Sequence, residues 1–483
     1  MDDKIKTDEV KLRCKLANNN LEREIMRTDN RDKEIRNYIG LFTKAFEHNK
    51  AACVNKKEYK KFLKWLKDGG DATFKLSGKM KLIDVSCIRD MELFGQNAGT
   101  YKLKEAPRFK SRKMAMEMLE LYAMALLRDI PLKEYETNSK VLKICRNLSN
   151  IDKIITPKIL FRGNTKGDYK GPYVSQFLYH SYKYGPTLIE QKYTPEIPHV
   201  DYLTTYDNAL SVQNGIIKEK KMLSKLAPRY ITTLRDGAVY VKEDLPAQAA
   251  MNAALILIKL KVPYNKLNPY NKKKSEVSFV DFGIVDILDL INRVTRYAMI
   301  VCWNHKWNIL KVRPEAVGIE VHKALMTGDN EYDLHENLLN SKILRKIHQK
   351  YNSYLLPQTY PEGSPCHPSY PAGHAVFAGA TVTIVKAFFD CSGDIPAYLP
   401  SSDGQTLIPL DINLNINDEL DKLASNVGLF RGAAGVHYRS DCRGIELGET
   451  IAIEFLKEHV KRYSTQAGFS LKKRNGDTIK ICN

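Results

Sequence analysis

The chain has 483 residues, 43% of them hydrophobic, which suffices for a large core and by length alone allows two to four domains. A formal charge of +19 at pH 7 favours anionic partners, yet the lysines are scattered and not gathered with aromatic residues. That pattern argues against sequence-specific nucleic-acid binding and leaves only nonspecific nucleic-acid contact open.

Residues 1–37 are highly charged and poor in aromatics, and read as an N-terminal arm. Met1-Asp2-Asp3-Lys4 opens on charge with no apolar run behind it, so no secretory signal is expected and a cytoplasmic or other intracellular location is the simplest expectation. Helical periodicity follows over 111–127, 245–260, 280–311, 375–389 and 419–433, while strand-like segments are short and few; periodicity alone therefore gives a mainly α chain. The segment 265–275, with Lys266 and Lys272 to Lys274, reads as an exposed basic loop. The longest apolar runs, near 253–260 and 381–389, are too short to span a bilayer. Nine cysteines without CxxC spacing offer neither a zinc site nor a disulfide framework.

Chemistry concentrates in three segments. If 296–312 is helical, Lys306 and Arg313 lie two turns apart on one face and can converge on one anion, with Pro314 ending the helix. Trp303, Trp307, Ile309, Leu310 and Val312 would wall a partly dry pocket that strengthens those charges. Next, Pro371-Ala372-Gly373-His374 precedes an apolar run, which places Gly373 at a helix N-terminus where free N–H groups and the helix dipole favour an anion. His374 stands at the same mouth, able to exchange a proton with an anion oxygen. Finally, Arg431 is followed by His437 and Asp441, which are four apart as on one helix face, so Asp441 can orient the imidazole and leave its other nitrogen as nucleophile or metal ligand. Each segment alone has an ordinary reading: solvated surface charges, a Pro-Gly loop entering a core helix, a structural His–Asp pair. Together they supply three cations, two histidines and a carboxylate, the inventory that holds and reacts a phosphate-like anion.

Lys306…Arg313-Pro314, Pro371-x-Gly373-His374 and Arg431…His437…Asp441 resemble the three-part signature shared by vanadium-dependent haloperoxidases and type 2 acid phosphatases. Phe161-Arg162-Gly163, Gly171 to Phe177, Glu190-Gln191-Lys192, Arg235-Asp236 and His367-Pro368-Ser369-Tyr370-Pro371 are similar to the algal bromoperoxidase branch, and the likeness runs from about Tyr38 to about Ile481. The resemblance implies a mainly α fold with two four-helix bundles, a single domain over 38–483, and a pocket built from 296–315, 365–390 and 422–445. It implies that His437 binds vanadium while Asp441 orients its other nitrogen. Lys306, Arg313 and Arg431 would neutralise the oxygens of bound vanadate, Gly373 would donate its N–H, and His374 would contact the apical oxygen. His367 matches a second histidine near the cofactor and Trp303 an aromatic pocket position. The implied partners are hydrogen peroxide, bromide or another halide, an organic halogen acceptor and further copies of the chain as a homo-oligomer. The lysine-rich 265–275 loop gives no reason to expect calcium.

One position departs from the pattern: Ala372 stands where the family has serine. Losing one charge-assisted hydrogen bond costs about 1.5–3 kcal/mol of anion or transition-state binding. Two other activities fit the residues: an acid phosphatase with His437 as nucleophile and His374 as general acid, and a catalytically weak anion-binding relative. Cys366 beside His367 would be an oxidisable liability in a site that releases hypohalous acid unless it is buried and inert.

Overall fold

Polar caps and apolar stripes set the helices. The computed structural model describes Asp8, Lys11, Asp32 and residues 35–68, 74–89, 96–151, 154–463 and 466–483; most of the expected arm, 1–37, lies outside the described residues. Within them the α-helices are α1 Lys56–Lys67, α2 Arg112–Leu127, α3 Ser139–Ser149, α4 Tyr206–Gln213, α5 Leu234–Glu243, α6 Gln248–Lys259 and α7 Ile284–Ile309. They continue with α8 Pro314–Thr327, α9 Glu336–Leu339, α10 Lys342–Tyr351, α11 Gly373–Phe388, α12 Ile416–Ala433 and α13 Gly444–Val460. Ser111 caps α2 by accepting from the N–H of Met114, Asn415 caps α12 through the N–H of Asp418, and Thr233 with Asp236 closes a capping box on α5. The three two-stranded antiparallel sheets are hairpins: β1 Tyr182–Tyr184 with β2 Thr187–Ile189, β3 Asp394–Pro400 with β4 Leu407–Asn415, and β5 Gly468–Lys472 with β6 Thr478–Cys482.

The chain is therefore mainly α, as its periodicity predicts. Helices α7, α11, α12 and α13 form a four-helix bundle around α11, in which every residue except His374 is buried. Two glycines let α11 and α13 touch backbone to backbone. A Cβ on Gly379 would sit 2.1 Å from the carbonyl oxygen of Ile445, and one on Gly448 would sit 2.0 Å from that of Val376. Helices α3, α9 and α10 gather on α2 as a second helical group. No helix among the described residues is long and apolar enough to cross a membrane.

Two expectations change here. Helix α7 stops at Ile309 because Leu310 turns left-handed, at φ 55° and ψ 34°, so Lys306 and Arg313 do not share one helix. Arg313 is instead the N-cap of α8, and Pro314 opens that helix at the position where its fixed φ and missing N–H cost nothing. The 265–275 segment is likewise only partly exposed. Its lysines face solvent, while Asn265 and Asn268 are buried and tie the loop down, Asn268 by donating to the carbonyl of Phe282 at 3.1 Å.

Candidate active site

Lys306 leaves the last turn of α7 and is fully buried, donating to the carbonyls of Pro368 at 2.9 Å and Ser369 at 3.0 Å. The short left-handed turn at Leu310 then swings the chain back so that Arg313 enters the same pocket from the start of α8. Its guanidinium, 1% exposed, gives Nε to the carbonyl of His367 at 2.8 Å and Nη1 to that of Val436 at 2.8 Å. It also meets two imidazoles, with Nη1 3.0 Å from Nε2 of His437 and Nη2 2.9 Å from Nδ1 of His367. The adjacent Glu315 is buried and takes Lys44 at 2.9 Å and the Ser364 hydroxyl at 2.6 Å, which fixes the strap leading to His367.

His437 and Asp441 meet as their spacing predicts, but not on an α-helix. Helix α12 ends at Ala433, Gly435 takes φ +87°, and Asp441 lies in a 3-10 turn, Arg439–Arg443. The Asp441 carboxylate accepts from Nδ1 of His437 at 2.7 Å, from the Ser369 hydroxyl at 2.5 Å and from the Tyr438 N–H at 3.1 Å. Nδ1 therefore carries the proton and Nε2 keeps its lone pair. Burial holds His437 well below the ordinary histidine range, and Arg313, Lys306 and Arg431 add to that effect. Burial pushes Asp441 up, against the pull of Ser369 and the cations. Lys306 is brought down to about 7 and Arg313 to about 10, in both cases first by desolvation.

Arg431, in the last turn of α12, donates to the carbonyl of Val241 at 2.9 Å and lies over the ring of Tyr360 at 5.6 Å; its buried Nε has no hydrogen-bond partner. His374 enters from the first turn of α11 and places Nε2 3.1 Å from Oδ1 of Asp244, just beyond α5. Desolvation lowers His374, and Asp244 opposes it. Ala372 is the N-cap of α11, fully buried and without a side-chain cap; its N–H goes to the carbonyl of Asp441 at 3.0 Å. The N–H groups of Gly373, His374 and Ala375 make no hydrogen bond among the described residues, which leaves a helix N-terminus open to an anion. A Cβ on Gly373 would come 3.3 Å from Met299 and 3.4 Å from Trp303, so glycine lets α11 press against α7 here. Trp303 packs its ring 4.8 Å from that of His367 and donates to the carbonyl of Ile83 at 3.1 Å. Cys366 is buried and its thiol is pushed up to about 11, so it is not a thiolate at neutral pH.

Direct contacts thus join Lys306, Arg313, His367, His437, Asp441, Trp303 and Ala372 into one cluster. Arg431 and His374 flank it from α12 and α11, both anchored at the end of α5. Three residues join the site without a signal of their own in the sequence. Ser369 lies inside the quoted motif, but only the fold turns its hydroxyl onto Asp441; Asp244 and Tyr360 come from segments with no distinctive pattern.

Residues 287–465, which span the four-helix bundle, match a family model described as the VCPO second helical-bundle domain. The chain is 31% identical over 435 residues to the vanadium-dependent bromoperoxidase of Ascophyllum nodosum, covering 83% of this chain and 77% of that protein. It is 32% identical over 465 residues to that of Corallina officinalis, covering 81% and 78%. Among solved structures, the homohexameric second vanadate-dependent bromoperoxidase of Ascophyllum nodosum superposes with a TM-score of 0.87 at 24% identity, over 99% of this chain and 90% of that one, which shows a shared fold. On the strength of the curated relatives, the chain belongs to the vanadium-dependent haloperoxidase family, on its algal bromoperoxidase branch.

Proposed function

We propose that this protein is a vanadium-dependent bromoperoxidase that uses hydrogen peroxide to oxidise bromide to a hypobromous-acid-type halogenating agent. The observation that carries the reading is a buried pocket that gathers Lys306, Arg313 and Arg431 around the His437–Asp441 pair, with the unprotonated Nε2 of the imidazole facing the Arg313 guanidinium. Such surplus positive charge, with the unpartnered Nε of Arg431 and the open N–H groups of α11, fits a tetrahedral oxyanion and therefore fits vanadate. When bound, vanadate supplies a Lewis-acidic centre at which peroxide becomes electrophilic toward halide.

The chain's own residues do the rest. His437 would offer Nε2 as the ligand, and Asp441 keeps the proton on Nδ1. Lys306, Arg313, Arg431 and the N–H of Gly373 hold anionic oxygen in a water-poor site where each charge acts strongly. His374, poised on Asp244, holds and returns a proton at the open side of the pocket. His367 and Trp303 close one wall and limit water. The phosphatase alternative would use the same two imidazoles on a phosphoester, with His437 as nucleophile.

The resemblance to a homohexameric fold supports assembly of this chain as a homo-oligomer, and light scattering across a concentration series tests it. Calorimetry tests the pocket. Vanadate should bind the wild type and raise its melting temperature, phosphate should compete, and His437→Ala should weaken binding; equal binding by that variant would remove the assignment.

A further inference from the structure

A second concave site lies at the opposite end of α11 from His374. Lys386 is twelve residues further along that helix, about 18 Å away at 1.5 Å per residue. There a cleft of about 590 Å³, within the range of small-molecule sites, is lined by Lys166, Lys170, Lys266, Lys386 and Lys472 against two carboxylates, Asp390 and Asp418.

Buried contacts hold its walls in place. Gly167 puts the 166–170 turn directly on the first turn of α12, since a Cβ there would lie 2.1 Å from the carbonyl oxygen of Asp418. Asn265 fixes the opposite wall, giving its amide to the carbonyl of Ser470 at 2.6 Å and accepting the Ser470 N–H at 3.2 Å, while its own N–H reaches the carbonyl of Phe388 at 2.8 Å. Lys386 is buried on Asp421 at 2.6 Å and forms part of the floor.

The remaining cations are poorly compensated. Lys170 reaches Asp418 only at 3.4 Å and Lys266 reaches Asp390 only at 3.5 Å. Lys166 and Lys472 are exposed and pair with no carboxylate among the described residues. Lysines spaced around a concave wall focus positive potential on its centre. The floor carries an acceptor as well: Asn417 is 5% exposed, its amide nitrogen is used by Asp421 at 3.3 Å, and its Oδ1 has no hydrogen-bond partner. A buried acceptor without a donor needs a hydroxyl or water.

We propose that this cleft binds a small polyanion carrying two or more phosphate or sulfate groups on a hydroxyl-bearing frame. The lysines take the anionic groups, Asn417 takes a hydroxyl, and the site is separate from the catalytic pocket.

The test uses the full-length protein, titrated calorimetrically with fructose 1,6-bisphosphate and with inorganic pyrophosphate. Wild type and His437→Ala should bind the bisphosphate alike, and affinity should fall steeply as salt rises from about 50 to about 300 mM. Lys166→Glu with Lys472→Glu, both exposed and unpaired, should keep the melting temperature and weaken binding by at least about 10-fold. Failure of the bisphosphate to bind would overturn the proposal, as would unchanged affinity in the double variant. Binding lost in His437→Ala would assign the anion to the catalytic pocket instead. Pyrophosphate binding to His437→Ala, in which the catalytic pocket is weakened, as tightly as the bisphosphate does would overturn the hydroxyl-bearing class.

Discussion

Nη1 of Arg313 lies 3.0 Å from Nε2 of His437, the nitrogen that Asp441 leaves unprotonated. The guanidinium therefore occupies the electron pair that a bound metal oxyanion would take, and a ligand entering the pocket exchanges an arginine N–H for its own contact with both residues. Arg313 also reaches His367, so one planar fork organises both imidazoles. A lysine cannot reproduce that fork. Arg313→Lys should lose about 1.5–3 kcal/mol of vanadate binding, roughly a 10- to 150-fold weaker Kd by calorimetry.

Lys306 makes anion binding depend on pH. Burial brings it from its ordinary 10.5 to about 7. Between those values the unfolded chain holds a proton that the ligand-free folded chain does not, so from this group stability rises with pH from about 7 to about 10.5, and its burial penalty is fully present below about 7. An anion beside Nζ favours the charged form, so binding above pH 7 should take up a proton and weaken as pH rises. Calorimetry in buffers of different ionisation enthalpy measures that uptake. Lys306→Arg stays charged and should abolish it, while leaving the anion's own titration as a shared background.

Asp441 acts through His437. Asp441→Asn keeps the shape but can present an N–H to Nδ1, which would move the imidazole proton to Nε2. Vanadate affinity should fall by about 10- to 100-fold, the usual cost of losing a ligand's orienting partner. Ser369→Ala removes one donor to Asp441 without changing the tautomer and should cost less; a loss as large as that of Asp441→Asn would contradict the ordering.

Much of this site was legible before any coordinates, because its chemistry rests on residue types in short local patterns. Gly373-His374 stands at a helix mouth as read, and His437 meets Asp441 as read, although on a loop and a 3-10 turn and not on the helix face that their spacing suggested. Lys306 and Arg313 converged for a different reason than their spacing suggested, since periodicity does not register a single left-handed residue such as Leu310. Asp244 and Ser369 were out of reach, because what makes them matter is a contact with His374 or Asp441 that only tertiary packing creates. The limits of α11 followed closely from its small apolar residues, whereas the two walls of the lysine cleft come from segments far apart in sequence and share no pattern.

Ala372 gives a two-part prediction. As an N-cap without a capping side chain it leaves α11 open, so Ala372→Ser should stabilise the fold by about 1 kcal/mol if its hydroxyl caps the helix. If the hydroxyl instead faces the anion, it adds a donor where charge develops, and bromination should rise by about 10- to 100-fold, or roughly 1.4–2.7 kcal/mol of transition-state stabilisation. Melting temperature and turnover, measured on the same preparation, separate the two.

The most direct measurement is bromination of a phenol-red-type dye by wild type and Ala372→Ser with peroxide and bromide, with and without saturating vanadate, beside hydrolysis of a chromogenic phosphoester without vanadate. The bromoperoxidase account predicts bromination that requires vanadate, rises in Ala372→Ser and disappears in His437→Ala, with phosphoester hydrolysis changing far less between wild type and Ala372→Ser. Strong hydrolysis by the wild type, with no bromination by wild type or Ala372→Ser, would contradict the account and assign the pocket to phosphoryl transfer.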